Sequence, residues 1–123
     1  MDETEFADRI AKIRARFVSK LSDNIRETDA ALQHLTGGES GAIDAVAAVY
    51  RRFHDICGIG ETIGFEATGR VARILDAILI GPFREQRGLS GDELAKLKEA
   101  LQSLRATAQT EMQSTDSVQE LVP

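Results

Sequence analysis

His54 is the residue of this 123-residue chain best placed to do chemistry. It stands in the run Tyr50-Arg51-Arg52-Phe53-His54-Asp55-Ile56-Cys57-Gly58-Ile59-Gly60-Glu61-Thr62-Ile63-Gly64-Phe65. Successive helical residues turn by about 100°. Phe53 lies at the centre of an apolar stripe, so His54 sits on its shoulder. A ring there is held by packing while one nitrogen reaches water, which suits an imidazole that takes up and hands on a phosphoryl group. Gly58 lies one turn on and Ala47 two turns back, so small side chains clear the surface around the ring. A glycine inside a helix costs about 1 kcal/mol against alanine, and the close approach of another surface would account for it. Arg51, one turn before His54, can steady phosphate oxygens or meet acidic groups of a partner.

Taken singly, these residues have plainer readings. A lone histidine beside a core stripe is ordinarily structural, Gly58 can serve close helix packing, and Arg51 with Arg52 can be a solvated face. Their combination is what points to chemistry. Other signals do not hold. The run Gly58 to Gly64 lacks the spacing of a dinucleotide fingerprint and follows a helix rather than a strand. No Gly-Lys-Ser/Thr phosphate loop is present, so no ATP site is expected. His34 and His54 fall on different predicted helices, and no metal site is expected. The carboxylates are numerous but scattered.

The elements that must position His54 are helices. Phe6, Ile10, Ile13, Phe17, Leu21 and Ile25 recur at three- and four-residue steps, the helical period. This first helix should run from about Glu3 to Leu35, with a bend or break allowed between Asn24 and Asp29, and stop at Thr36-Gly37-Gly38. A second should start near Ser40, bury Ile43, Val46, Tyr50, Phe53 and Cys57, and end near Gly64. A third should begin at Phe65 or Glu66, turn Val71, Ile74, Leu75, Ile78 and Leu79 inward, and end at Gly81-Pro82, since proline cannot continue the hydrogen-bond ladder. Ser90 and Glu93 form a capping box for a fourth, with Leu89 and Leu94 as its staple and Leu94, Leu97, Leu101 and Leu104 on one face. The expected fold is all-α, an antiparallel four-helix bundle over residues 1–112, with a polar, fraying tail over 113–123.

Composition agrees. Apolar residues make up 42% of the chain, enough for a core. The net charge of −5 argues against a nucleic-acid partner. Cys57 is the one cysteine, so no internal disulfide can form. No apolar run reaches membrane-spanning length, and the acidic start Met1-Asp2-Glu3-Thr4-Glu5 is unlike a secretory signal. A cytoplasmic protein with no membrane partner is the expectation.

The pattern His54, Gly58, Gly64 resembles the histidine phosphotransfer (HPt) family, whose motif is His-x-x-Lys-Gly with a second glycine six residues later. Phe53 and Ile56 are apolar where the family is apolar. Tyr50-Arg51 and Gly64-Phe65-Glu66 look like the phosphotransfer domain of chemotaxis kinases, and Leu75-Asp76 falls where members often carry Leu-Glu. The motif covers about thirty residues; the four-helix layout covers nearly the whole chain. The resemblance implies a phosphorelay carrier with His54 as phosphoacceptor. It further implies Arg51, Cys57, Gly58 and Glu61 as binding positions, and Gly64 and Phe65 as structural ones. Partners would be response-regulator receiver domains and a sensor histidine kinase. No cofactor is implied on this chain, the Mg²⁺ belonging to the receiver. One departure is plain: the motif lysine is Cys57 here, leaving Arg51, Arg70 or Arg73 to replace its charge. That departure keeps open an adaptor or inhibitor that binds a receiver or kinase without carrying phosphate. A helical dimerisation module is a further reading, which an exposed apolar patch would favour.

Overall fold

In the computed structural model the chain is described over residues 2–37 and 40–121, with side chains placed over 2–37 and 41–113. It forms four helices: α1 (Glu3–Ala31), α2 (Ser40–Thr62), α3 (Glu66–Glu85) and α4 (Gly91–Leu121). A single 3₁₀ turn, Leu32–His34, follows α1. Consecutive helices run antiparallel, as their cross-helix contacts show. Arg14 of α1 reaches the Ile63 carbonyl at the end of α2, while Glu27 meets Arg52 earlier on it. Glu61 pairs with Arg73 and His54 with Asp76 across α2 and α3. Glu111 of α4 reaches back to the first turn of α3, and Arg105 meets Asp29 to close α4 onto α1. The result is an all-α four-helix bundle.

The core joins Phe17, Leu21 and Ile25 of α1 to Val46, Val49, Phe53 and Ile56 of α2, Ala72, Leu75 and Leu79 of α3, and Leu97, Leu101 and Leu104 of α4. α2 and α3 pack closest, and glycine is the reason. A Cβ on Gly69 would come within 2.8 Å of the Glu61 side chain and 3.3 Å of the Cys57 carbonyl, and one on Gly60 within 3.3 Å of the Phe65 carbonyl. At the opposite end the two long connections lie against each other. The Leu89 amide donates to the Leu35 carbonyl at 2.8 Å, and a Cβ on Gly88 would meet the Gly37 carbonyl.

Several expectations change. α1 is continuous through Asn24 and ends at Ala31; Asn24, Ile25 and Thr28 face inward instead of marking a bend. The stop at Thr36-Gly37 stands, with Gly37 at φ +106°, and Gly38 lies outside the described residues. α3 does not end at Gly81-Pro82: Pro82 is inside the helix, which continues to Glu85. The proline falls in the last turn, where its missing donor costs one bond. The true stop is Gln86 in the left-handed conformation, with the Arg87 amide donating to the Pro82 carbonyl. Ile74 is 54% exposed, because the buried face of α3 is set by Thr68, Ala72, Leu75, Leu79 and Pro82, and Ile74 points about 100° away from Leu75. Ile43 and Tyr50 are half-buried, while Val49 and Ile56 share the core. The capping box forms as expected, with Ser90 Oγ accepting from the Glu93 amide and Glu93 accepting from the Ser90 amide. The polar segment from Gln113 carries the helix on to Leu121, and residues 122–123 lie outside the description.

Candidate functional site

α2 carries the site. His54 is mid-helix with its side chain 59% exposed, above a fully buried Phe53. Its Nδ1 lies 3.0 Å from Asp76 Oδ1 on α3. A carboxylate there accepts, so Nδ1 carries a hydrogen, and in the neutral ring the lone pair is then on Nε2. No hydrogen bond to Nε2 forms among the described residues. The ring is flanked by Tyr50, one turn earlier, at 5.4 Å between centroids; Tyr50 in turn stacks on Phe83 of α3 at 4.4 Å. One carboxylate and one aromatic pair therefore fix the imidazole in orientation while its far nitrogen faces outward.

Around the ring, α2 is open. His54, Asp55, Gly58, Ile59, Thr62 and Ile63 line a shallow depression. A Cβ at Gly58 would meet nothing within 4 Å, so the glycine is not required by packing inside this molecule. The space it leaves lies on the outer surface beside His54.

The other candidate residues divide. Arg51 is exposed one turn before His54, with its guanidinium 5.8 Å from the centre of the Phe83 ring. Cys57 is 6% exposed and lies at the seam with α3; its thiol donates to the His54 carbonyl at 3.0 Å. Burial first, and then the negative charge of Asp76, raise its pKa, so the thiol stays neutral. Position 57 is thus covered, and no charged group occupies the place of the motif lysine. Glu61 is held in a bidentate pair by Arg73, at 2.6 and 2.8 Å. The Arg73 hydrogen bonds hold the Glu61 carboxyl below the ordinary carboxylate range. Gly64 and Phe65 are structural. Gly64 takes φ +94°, and a Cβ there would strike the Arg14 guanidinium at 2.9 Å; Phe65 is buried and stacks on Phe17 at 5.2 Å. Asp76 and Tyr50 are the site's unforeseen members. The Leu75-Asp76 pair in the sequence was the signal for the first, but not for its contact with His54.

Among the described residues no group of three or more His, Cys, Asp or Glu is arranged to hold a metal ion. Among those residues, no helix is long and apolar enough to cross a membrane. No protein-family model, curated protein or solved structure matches the chain.

Proposed function

We propose that this chain carries a phosphoryl group on His54 between receiver-domain aspartates of a two-component phosphorelay. The observation that carries the reading is the state of one ring. His54 is exposed mid-helix, held at Nδ1 by Asp76, open at Nε2, and cleared on one side by Gly58. The resemblance of His54, Gly58 and Gly64 to the histidine phosphotransfer motif supports it.

In the forward step, Nε2 attacks the phosphorus of an aspartyl phosphate. The N–P bond forms, the P–O bond to the aspartyl carboxyl breaks, and that carboxylate leaves. The imidazole becomes cationic because Nδ1 keeps its hydrogen, and Asp76 neutralises the new charge. The return step transfers the group to a second aspartate. The receiver would supply its own divalent cation; this chain supplies position, which a rigid helix face does well. Incubation with phosphorylated receivers should yield acid-labile, base-stable phosphate on the wild type and none on His54→Gln. Absence of label from every receiver of the source organism would overturn the carrier reading.

A second reading has one observation behind it. Cys57 is buried and Arg73 is engaged by Glu61, so the charge that the family motif places beside the phosphate has no direct substitute at position 57. An adaptor that occupies a receiver with the same face would need no such charge. Gly58→Glu should abolish docking in both readings. Binding that Gly58→Glu destroys, without phosphoryl uptake by the wild type, would favour the adaptor.

A further inference from the structure

The first three turns of α1 run past the turn that joins α2 to α3, on the side where α4 also continues beyond Glu111 to Leu121. Arg14 meets Ile63 and Phe17 stacks on Phe65, so the turn joining α2 to α3 lies level with residues 14–17. Residues N-terminal to it have outrun that hairpin. Yet the apolar stripe continues: Phe6, Ile10, Ile13 and Phe17 fall within about 60° of one another around the helix. Phe17 is buried, whereas Phe6 is 60% and Ile13 43% exposed. The stripe that fills the core below thus continues above it with Ile10 half-buried and Phe6 and Ile13 exposed.

The charges beside the stripe are sorted. Residues 2–8 contain Asp2, Glu3, Glu5 and Asp8 and no base; residues 9–20 contain Arg9, Lys12, Arg14, Arg16 and Lys20 and no acid. Acid in the first turn complements the helix dipole. The dipole does not account for five bases in the middle of a helix that runs to Ala31. Among the described residues, none of Glu3, Glu5, Arg9, Lys12 or Arg16 takes part in an ion pair within the chain. A helix with an acidic end, a basic middle and an apolar stripe between is complementary to its own reverse. Laid antiparallel on a second copy about a two-fold axis near Ile10, Phe6 of one copy meets Ile13 of the other. Glu5, on the same flank as Lys12 and Arg16, then faces the bases of its mate. Such an isologous contact is the usual form of a homodimer.

We propose that this N-terminal segment of α1 is a self-association surface, and that its occupant is the same segment of a second copy of this chain, antiparallel to it. Three turns of helix bury well under the roughly 1,600 Å² of a standard stable interface, so the dimer is weak and concentration-dependent. The bundle face bearing His54 plays no part in it.

Sedimentation equilibrium over about 10 μM to 1 mM should show mass rising from 13.4 kDa toward twice that value. Glu3→Lys/Glu5→Lys makes the segment mostly basic, with Asp2 and Asp8 as its remaining acids, and Lys12→Glu/Arg16→Glu makes it largely acidic. Each alone should remain monomeric with unchanged helical circular dichroism, and an equimolar mixture of the two should associate again. Phe6→Ser/Ile13→Ser should be monomeric and unrescued by either. A wild type monomeric throughout the range would overturn the proposal. So would a dimer indifferent to both charge variants, or a mixture that fails to associate although each variant is folded.

Discussion

At the scale of single residues, the site depends on a pairing between two side chains 22 positions apart. His54 needed only the 100° turn of a helix to be placed on the shoulder of its stripe, and its exposure was legible from that angle. Asp76 was not, because its meeting with His54 depends on how far α3 slides along α2, which no local pattern records. The pairing has a testable consequence. Asp76→Asn keeps an acceptor near Nδ1 but removes the charge that steadies a cationic phosphoimidazole. Under the carrier reading, phosphoryl transfer to His54 should fall by about tenfold or more, Asp76→Glu should recover part of it, and the thermal midpoint should stay near that of the wild type. Equal transfer rates for Asp76→Asn and wild type, measured with one phosphorylated receiver, would show that the carboxylate only holds the ring. Cys57 was legible in both respects, as a departure from the motif and as a buried member of the α2 stripe; what the stripe did not record is that Gly69 lets α3 close against it.

At the scale of elements, the three-to-four periodicity marked every helix. An error arose where apolar residues outnumber the places a face can bury, at Ile74 on α3. Pro82 misled because proline's cost depends on where in a helix it falls, and the actual stop is a left-handed glutamine that carries no strong signal. Two interior glycines that look alike in sequence should behave oppositely. Gly58→Ala meets open space, so it should gain up to about 1 kcal/mol of stability from helix propensity. Gly69→Ala drives a methyl against Glu61 and the Cys57 carbonyl, so it should lose about 1–3 kcal/mol through overpacking and loosen the α2–α3 seam. Urea unfolding of the two variants checks the sign of each. The capping box of α4 makes a prediction in pH. Hydrogen bonds from Arg87, reinforced by those from Ser90, hold the Glu93 carboxyl down at about 2, from an ordinary 4.5. A carboxyl lowered on folding stabilises the native state above its unfolded pKa, and that contribution fades as pH falls through the folded one. The stability gap between wild type and Glu93→Gln should therefore be full above about pH 4.5 and should close toward pH 2. A gap constant across that window would mean that Glu93 acts by packing rather than by charge.

At the scale of the whole molecule, the bundle is closed into a ring by contacts at both ends, which four separate periodic stripes could not specify. At one end the Leu35 and Leu89 connections bond to each other. At the other, Glu111 of α4 accepts from the Ala67 and Thr68 amides at 3.0 and 2.9 Å, capping α3, whose own N-terminus has no side-chain cap. With α3 anchored at both ends, Asp76 is presented to His54 by the ring as a whole, while His54 itself lies outside the core. Function and stability should therefore separate at adjacent positions of one helix. Phe53 is fully buried among all four helices' core residues, and Phe53→Ala should cost about 3–5 kcal/mol by leaving a cavity. His54→Gln replaces an exposed ring by a polar side chain of similar reach and should change stability by less than about 1 kcal/mol, yet abolish any phosphoryl uptake. Thermal unfolding of the pair, read beside a transfer assay, tests this directly. A large loss of stability in His54→Gln would mean that the His54–Asp76 contact belongs to the structure of the bundle, and that the exposed imidazole is held there for packing rather than for transfer.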